Sequence, residues 1–194
     1  MGLLNRWILL VISILYSLTA SSQIEIPYVQ NGQNKYFKRN VCYTIDKDYN
    51  IIWTAYKLIR TDIEHLKFMP PDREFFPNIA HQNSKLWNLL EDQVRMWAIE
   101  FDSLYVVTGC ITLNDTVNQG VKAYYKAILK GCQGDAIGYL MQNNKKINDL
   151  SECVLSIDKL EEITQMDLFC SLNKDLQEII ESGYDLNFWP LMVE

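Results

Sequence analysis

The chain has 194 residues, of which 48% are hydrophobic, and its 18 Lys and Arg stand against 24 Asp and Glu for a formal charge of −6. That length suits one domain with a substantial core. The acidic balance excludes a protein that holds nucleic acid by charge alone, which needs a basic footprint to neutralise phosphates, but leaves open a metal-assisted enzyme, in which a bound cation supplies positive charge at the reacting group.

The first element is a targeting segment. Arg6 gives a positive n-region, Trp7 to Leu18 is almost unbroken apolar sequence, and Thr19-Ala20-Ser21-Ser22 offers the small residues of a cleavage site, so residues 1–22 read as a signal peptide with a mature start at Gln23. The apolar run is shorter than the ~20 residues that span a bilayer. An exported protein, periplasmic or secreted and free of the membrane after cleavage, is expected. Loss of Arg6 takes the formal charge to −7.

Ile24-Glu25-Ile26-Pro27-Tyr28 then begins in alternation, and Asn31 to Asn34 punctuates it like a turn. Val41 to Ile45 and Ile51 to Tyr56 read as strands of an antiparallel hairpin, joined by the polar turn Asp46 to Asn50. Leu58 to Phe68 fits helix or strand, and Met69-Pro70-Pro71-Asp72 must break it. From Asn83 to Phe101, apolar residues at Leu86, Trp87, Leu90, Val94, Trp97, Ala98 and Phe101 recur at helical spacing, which predicts an amphipathic helix of about five turns.

Leu104 to Thr108 reads as a buried strand ended by Gly109. Ala123 to Leu129 and Ala136 to Met141 flank Lys130-Gly131-Cys132-Gln133-Gly134-Asp135 as a second hairpin. Ser156 is a cap for a helix running to about Gln165, and Asn173 for a last one to Ser182. Strands dominate the front half and the middle, so the class is α+β with a mostly antiparallel sheet. Cys42, Cys110, Cys132, Cys153 and Cys170 contain no C-x-x-C pair, which disfavours a structural zinc site; an exported chain permits one or two disulfides, and the odd count leaves a thiol over.

Ordered blocks along this frame carry a resemblance. Asn78-Ile79-Ala80-His81-Gln82, Asn83-Ser84-Lys85-Leu86-Trp87, Leu90-Glu91, Val94-Arg95 and Leu104-Tyr105-Val106-Val107-Thr108-Gly109 are similar to the S-N-[MI]-[ST]-P-Q, N-x-G-x-W-x-x-L-E-x-x-V-R and V-T-G blocks of the DNA/RNA non-specific endonucleases. Trp53 to Leu58 resembles that family's W-x-A-Y-x-L strand, Ala123 to Leu129 its H-Y-Y-K strand, and Ser156 to Glu161 with Asp167-Leu168-Phe169 its closing helix and D-F-F corner. The resemblance implies one endonuclease-like domain over 23–194, with a ββα-metal helix. It also implies hydrolysis of phosphodiester bonds in DNA or RNA with a divalent ion, usually magnesium in that family. By position, Asn83 would be the metal ligand, Glu91 would support the metal's water shell, Arg95 would hold phosphate, and Asn78 would match an asparagine on the substrate side. Away from that context, Glu91 and Arg95 make an ordinary i,i+4 ion pair and Asn83 a helix cap.

The chain departs from the family at its D-R-G-H signature, which is missing, and the interval from Leu58 to Asn78 is shortened, so the finger region is reduced. Asp62-Ile63-Glu64-His65-Leu66 reads in two ways: as an eroded D-R-G-H-L, with His65 the general base, or as the segment upstream of a deleted catalytic strand, with His65 incidental. His81 stands at the family's proline, as a loop histidine or a relocated base. Two functions therefore stay in view: an exported magnesium-dependent endonuclease, and a catalytically inactive module that keeps the fold for binding or structure.

Overall fold

The computed structural model describes residues 26–29, 34–65, 72–76, 83–112, 120–131 and 134–191. The signal segment, the alternation at Ile24 and Glu25, the turn at 31–33, the break at Pro70-Pro71, and Asn78, His81 and Cys132 lie outside them.

Seven strands form one antiparallel sheet in chain order: β2 (Tyr36–Lys38), β3 (Val41–Ile45), β4 (Ile51–Ile59), β5 (Ser103–Thr112), β6 (Val121–Lys130), β7 (Ala136–Gln142) and β8 (Val154–Leu155). A separate pair joins β1 (Tyr28–Val29) to β9 (Met166–Asp167). The helices are α1 (Arg60–Glu64), α2 (Asp72–Phe75), α3 (Ser84–Glu100), α4 (Ile157–Thr164) and α5 (Lys174–Glu181), with a 3-10 turn at Leu150–Cys153. The α+β class with a mostly antiparallel sheet is therefore observed.

The sheet is apolar on both faces, and each face has its own cover. Tyr56, Leu58, Val106, Ile128 and Tyr139 pack against Trp87, Leu90, Val94 and Trp97 of α3. Trp53, Ala55, Val107, Ala127 and Leu129 pack on the opposite face with Ile157 and Leu160 of α4 and Ile180 of α5. Burial on two sides explains why β4, β5 and β6 read as near-continuous apolar runs rather than as alternation. Trp189 closes the far side of α3, with its ring 4.9 Å from that of Trp97 in an edge contact, while Trp97 Nε1 donates to the Pro190 carbonyl at 3.3 Å.

Local chemistry fixes the ends. Asp46 Oδ1 accepts the Asp48 and Asn50 amides at 2.8 and 2.9 Å, which closes the β3–β4 turn and lets Tyr49 take a positive φ of 63°. Ser156 Oγ accepts the Lys159 amide and Asn173 Oδ1 accepts the Asp175 amide, so both expected caps form.

One expectation fails: Gly109 does not end its strand, and β5 runs on to Thr112. Gly109 faces Tyr125 across the β5–β6 ladder, and a Cβ there would lie 2.3 Å from Tyr125 Oη. Its glycine makes room for an aromatic ring inside a strand instead of turning the chain. Cys42, Cys110 and Cys153 are free thiols.

Candidate functional site at the start of the long helix

The site begins where the chain enters α3. Asn83 occupies the N-cap position, with φ −112° and ψ 24°, yet its side chain does not cap the helix. It turns instead to the loop that follows β7. Asn83 Nδ2 donates to the carbonyls of Gln142 at 3.2 Å and Lys145 at 3.0 Å, and Oδ1 accepts the Ile147 amide at 3.0 Å. With 4% of its surface exposed, the residue fastens residues 142–147 to the start of the helix.

Two turns on, Glu91 is buried rather than solvated. Its Oε1 accepts from Lys126 Nζ at 2.5 Å, with the two side chains 8% and 0% exposed. Lys126 rises from the middle of β6 on the face that α3 covers, and its ammonium also stands 5.1 Å from the centre of the Trp87 ring. In register with it across the sheet are Thr108 and Thr54, both fully buried. A polar row thus crosses the sheet beneath the helix, and Lys126 joins it to Glu91. The neighbouring residues in the segment AYYKAIL are apolar on both sides, so a lysine there has to find a buried anion. That signal is present in the sequence, and only the identity of the anion is not.

Arg95 lies one further turn along, partly exposed, and its guanidinium is paired with Asp92 on the same helix. Helical side chains lean towards the N-terminus, so Glu91 and Arg95 lean towards Asn83, but they start about 12 and 18 Å from it along the axis. The three residues therefore share one flank of α3, each with its own protein partner.

His65 is placed elsewhere. Asp62 to Glu64 belong to α1, and His65 is the exposed residue that closes that helix, where an intact family signature would have a strand. Arg60, the first residue of α1, is tied to the C-terminal end of α3: its amide donates to the Asp102 carbonyl at 2.9 Å and its Nε to the Ile99 carbonyl at 2.6 Å. Asn83 is at the other end of that helix, about 25 Å away, and α1 rises only about 7.5 Å. The fold does not draw His65 and Asn83 into one centre. Asn78 and His81 lie outside the described residues; in sequence His81 is two residues from Asn83.

A divalent ion at Asn83 would need an amide oxygen turned to an ion that keeps several waters. The oxygen present is buried, receives an N–H and is surrounded by loop backbone, while the acid nearest to it along the helix is neutralised by Lys126. This arrangement does not fit a hydrated metal centre.

The family to which this framework belongs follows from the comparisons. No curated protein matches the chain. A family model described as DNA/RNA non-specific endonuclease matches residues 71–175, a span that takes in Asn83, Glu91, Arg95 and Lys126 and starts after His65. With more than half of its length under that match, this chain belongs to the DNA/RNA non-specific endonuclease family.

Proposed function

We propose that this protein is an exported member of the nuclease family in which the ancestral hydrolytic centre has been absorbed into the scaffold, leaving a non-hydrolytic binding or structural module. The observation that carries this reading is the Asn83 head group, which bonds to backbone at both its nitrogen and its oxygen and holds the 142–147 loop. Glu91 supports it, since a carboxylate neutralised by a buried lysine has little charge left for the water shell of an ion. So does the separation of His65 from Asn83, which leaves no described histidine in reach of a water at the helix start. The net charge of −6 agrees as well, for without a cation nothing in the composition offsets phosphate repulsion.

A second reading rests on one detail. Among the described residues Asn83 Oδ1 receives a single hydrogen bond, and a carbonyl oxygen has two lone pairs. In that reading the protein is a magnesium-dependent endonuclease of DNA or RNA, with Asn83 on the metal, Arg95 on phosphate, and the base supplied by His81.

Plasmid nicking by the purified mature chain separates the two. The first reading expects no cleavage that depends on magnesium and disappears with chelator. Chelator-sensitive nicking that falls at least about tenfold in Arg95→Ala, a loss of roughly 1.4 kcal/mol of transition-state stabilisation, would establish the second reading and end the first.

A further inference from the structure

On the sheet face away from α3, helices α4 and α5 bring together acidic side chains that the nuclease framework does not use. Asp158 and Glu161 lie one turn apart on α4 and Glu181 is the last residue of α5. One carboxylate oxygen from each lies within 4.8 Å of the other two. They line a cleft of about 330 Å³ that also takes in Asp167, Glu178 and Lys174.

Glu181 sets this cluster apart from an ordinary acidic surface. It is 5% exposed, and its Oε1 is fully buried with no hydrogen-bond donor among the described residues. It also stands at a helix C-terminus, where the backbone dipole disfavours negative charge. Burial, and then Glu161, Asp167 and Asp158, push its carboxyl up to about 7, against the lowering effect of a side-chain hydrogen bond from Gln177. Buried carboxylate oxygens are normally met by a donor or a cation, and Oε1 has no donor among the described residues while two further carboxylates stand beside it.

We propose that Asp158, Glu161 and Glu181 form a structural calcium site that fastens α5 to α4. An all-carboxylate set selects a hard cation over zinc or copper. Coordination then favours calcium, which takes several protein carboxylates in flexible geometry, whereas magnesium demands a near-octahedral shell and keeps several waters instead of an all-protein cage. Glu161 is already oriented for the role, because its Oε1 accepts the Leu168 amide at 2.6 Å and so fixes the carboxylate plane. Asp158 is exposed and leaves an entry path from solvent.

The test is thermal unfolding and calorimetric titration of the chelator-treated mature chain with calcium and with magnesium, in the wild type, Glu181→Gln and Asp158→Asn. Calcium at about a hundredfold above its dissociation constant is expected to raise the wild-type melting temperature by about 5–10 °C. Magnesium should do so less, and both variants should lose most of the shift and the binding heat. If Glu181→Gln does not fold, Asp158→Asn, altered at an exposed position, carries the comparison. A wild-type melting temperature indifferent to calcium, or an equal shift in the variants, would overturn the proposal. A Glu181→Gln chain that melts above a calcium-indifferent wild type would assign the buried carboxyl a proton instead.

Discussion

Replacing Lys126 by methionine removes the charge opposite Glu91 while keeping most of the side chain's volume. The pair is 2.5 Å apart with side chains 0% and 8% exposed, so solvent does not take over when the ammonium is gone. Leaving one buried partner without the other costs about 3–5 kcal/mol, more than the net worth of the pair itself. For a chain of this size each kcal/mol moves the melting temperature by about 2–4 °C, so Lys126→Met is expected to melt about 6–20 °C lower. Urea unfolding followed by circular dichroism measures the loss directly. Glu91→Leu combined with Lys126→Met removes both charges of this pair and is expected to recover most of it, a coupling of at least about 2 kcal/mol in the double-mutant cycle. A single-mutant cost below about 1 kcal/mol, or a double mutant that loses the sum of the two singles, would refute the claim that Glu91 belongs to the framework.

Two further outcomes follow from named contacts. Asn83→Ala orphans the Ile147 amide and two loop carbonyls and should cost at least about 1–3 kcal/mol; amide exchange at Ile147 should quicken as well, and unchanged exchange there would show that the loop is held by something else. Glu181 has its carboxyl raised from 4.5 to about 7 in the fold, so its contribution to stability is whole below about pH 4.5 and is lost as pH rises through 7: without calcium, the wild type measured against Glu181→Gln should lose up to about 3 kcal/mol across that window, and a difference that stays flat or grows the other way would refute it.

Much of the fold was legible because its signals are local. The spacing of Trp87, Leu90, Val94 and Trp97 is a helix whatever surrounds it, and Ser156 and Asn173 announce their helices through bonds made within three residues. The hairpin at Asp46 to Asn50 closes on its own aspartate in the same way. Gly109 was misread because a glycine in a strand looks alike whether it bends the chain or makes room for a ring, and the ring, Tyr125, is sixteen residues away.

The candidate site divides along the same line. Asn83, Glu91 and Arg95 are recognisable from ordered motifs, and the family match to residues 71–175 agrees with the resemblance those motifs carry. What each side chain does is set by partners far along the chain: Asn83 by residues 59 to 64 positions later, Glu91 by Lys126 at 35. A sequence motif carries residue type and spacing, not the direction in which a carbonyl oxygen points.

The sequence by itself therefore determined the class, the long central strands, the long helix and the two capped helices, and the family, since these rest on periodicity, capping and motif spacing within short windows. Only the tertiary structure decided that the asparagine faces a loop, that the helix glutamate is spent on a core lysine, and that Glu181 meets Asp158 and Glu161 across two helices. Those are long-range pairings, fixed by how the layers pack and invisible until they do.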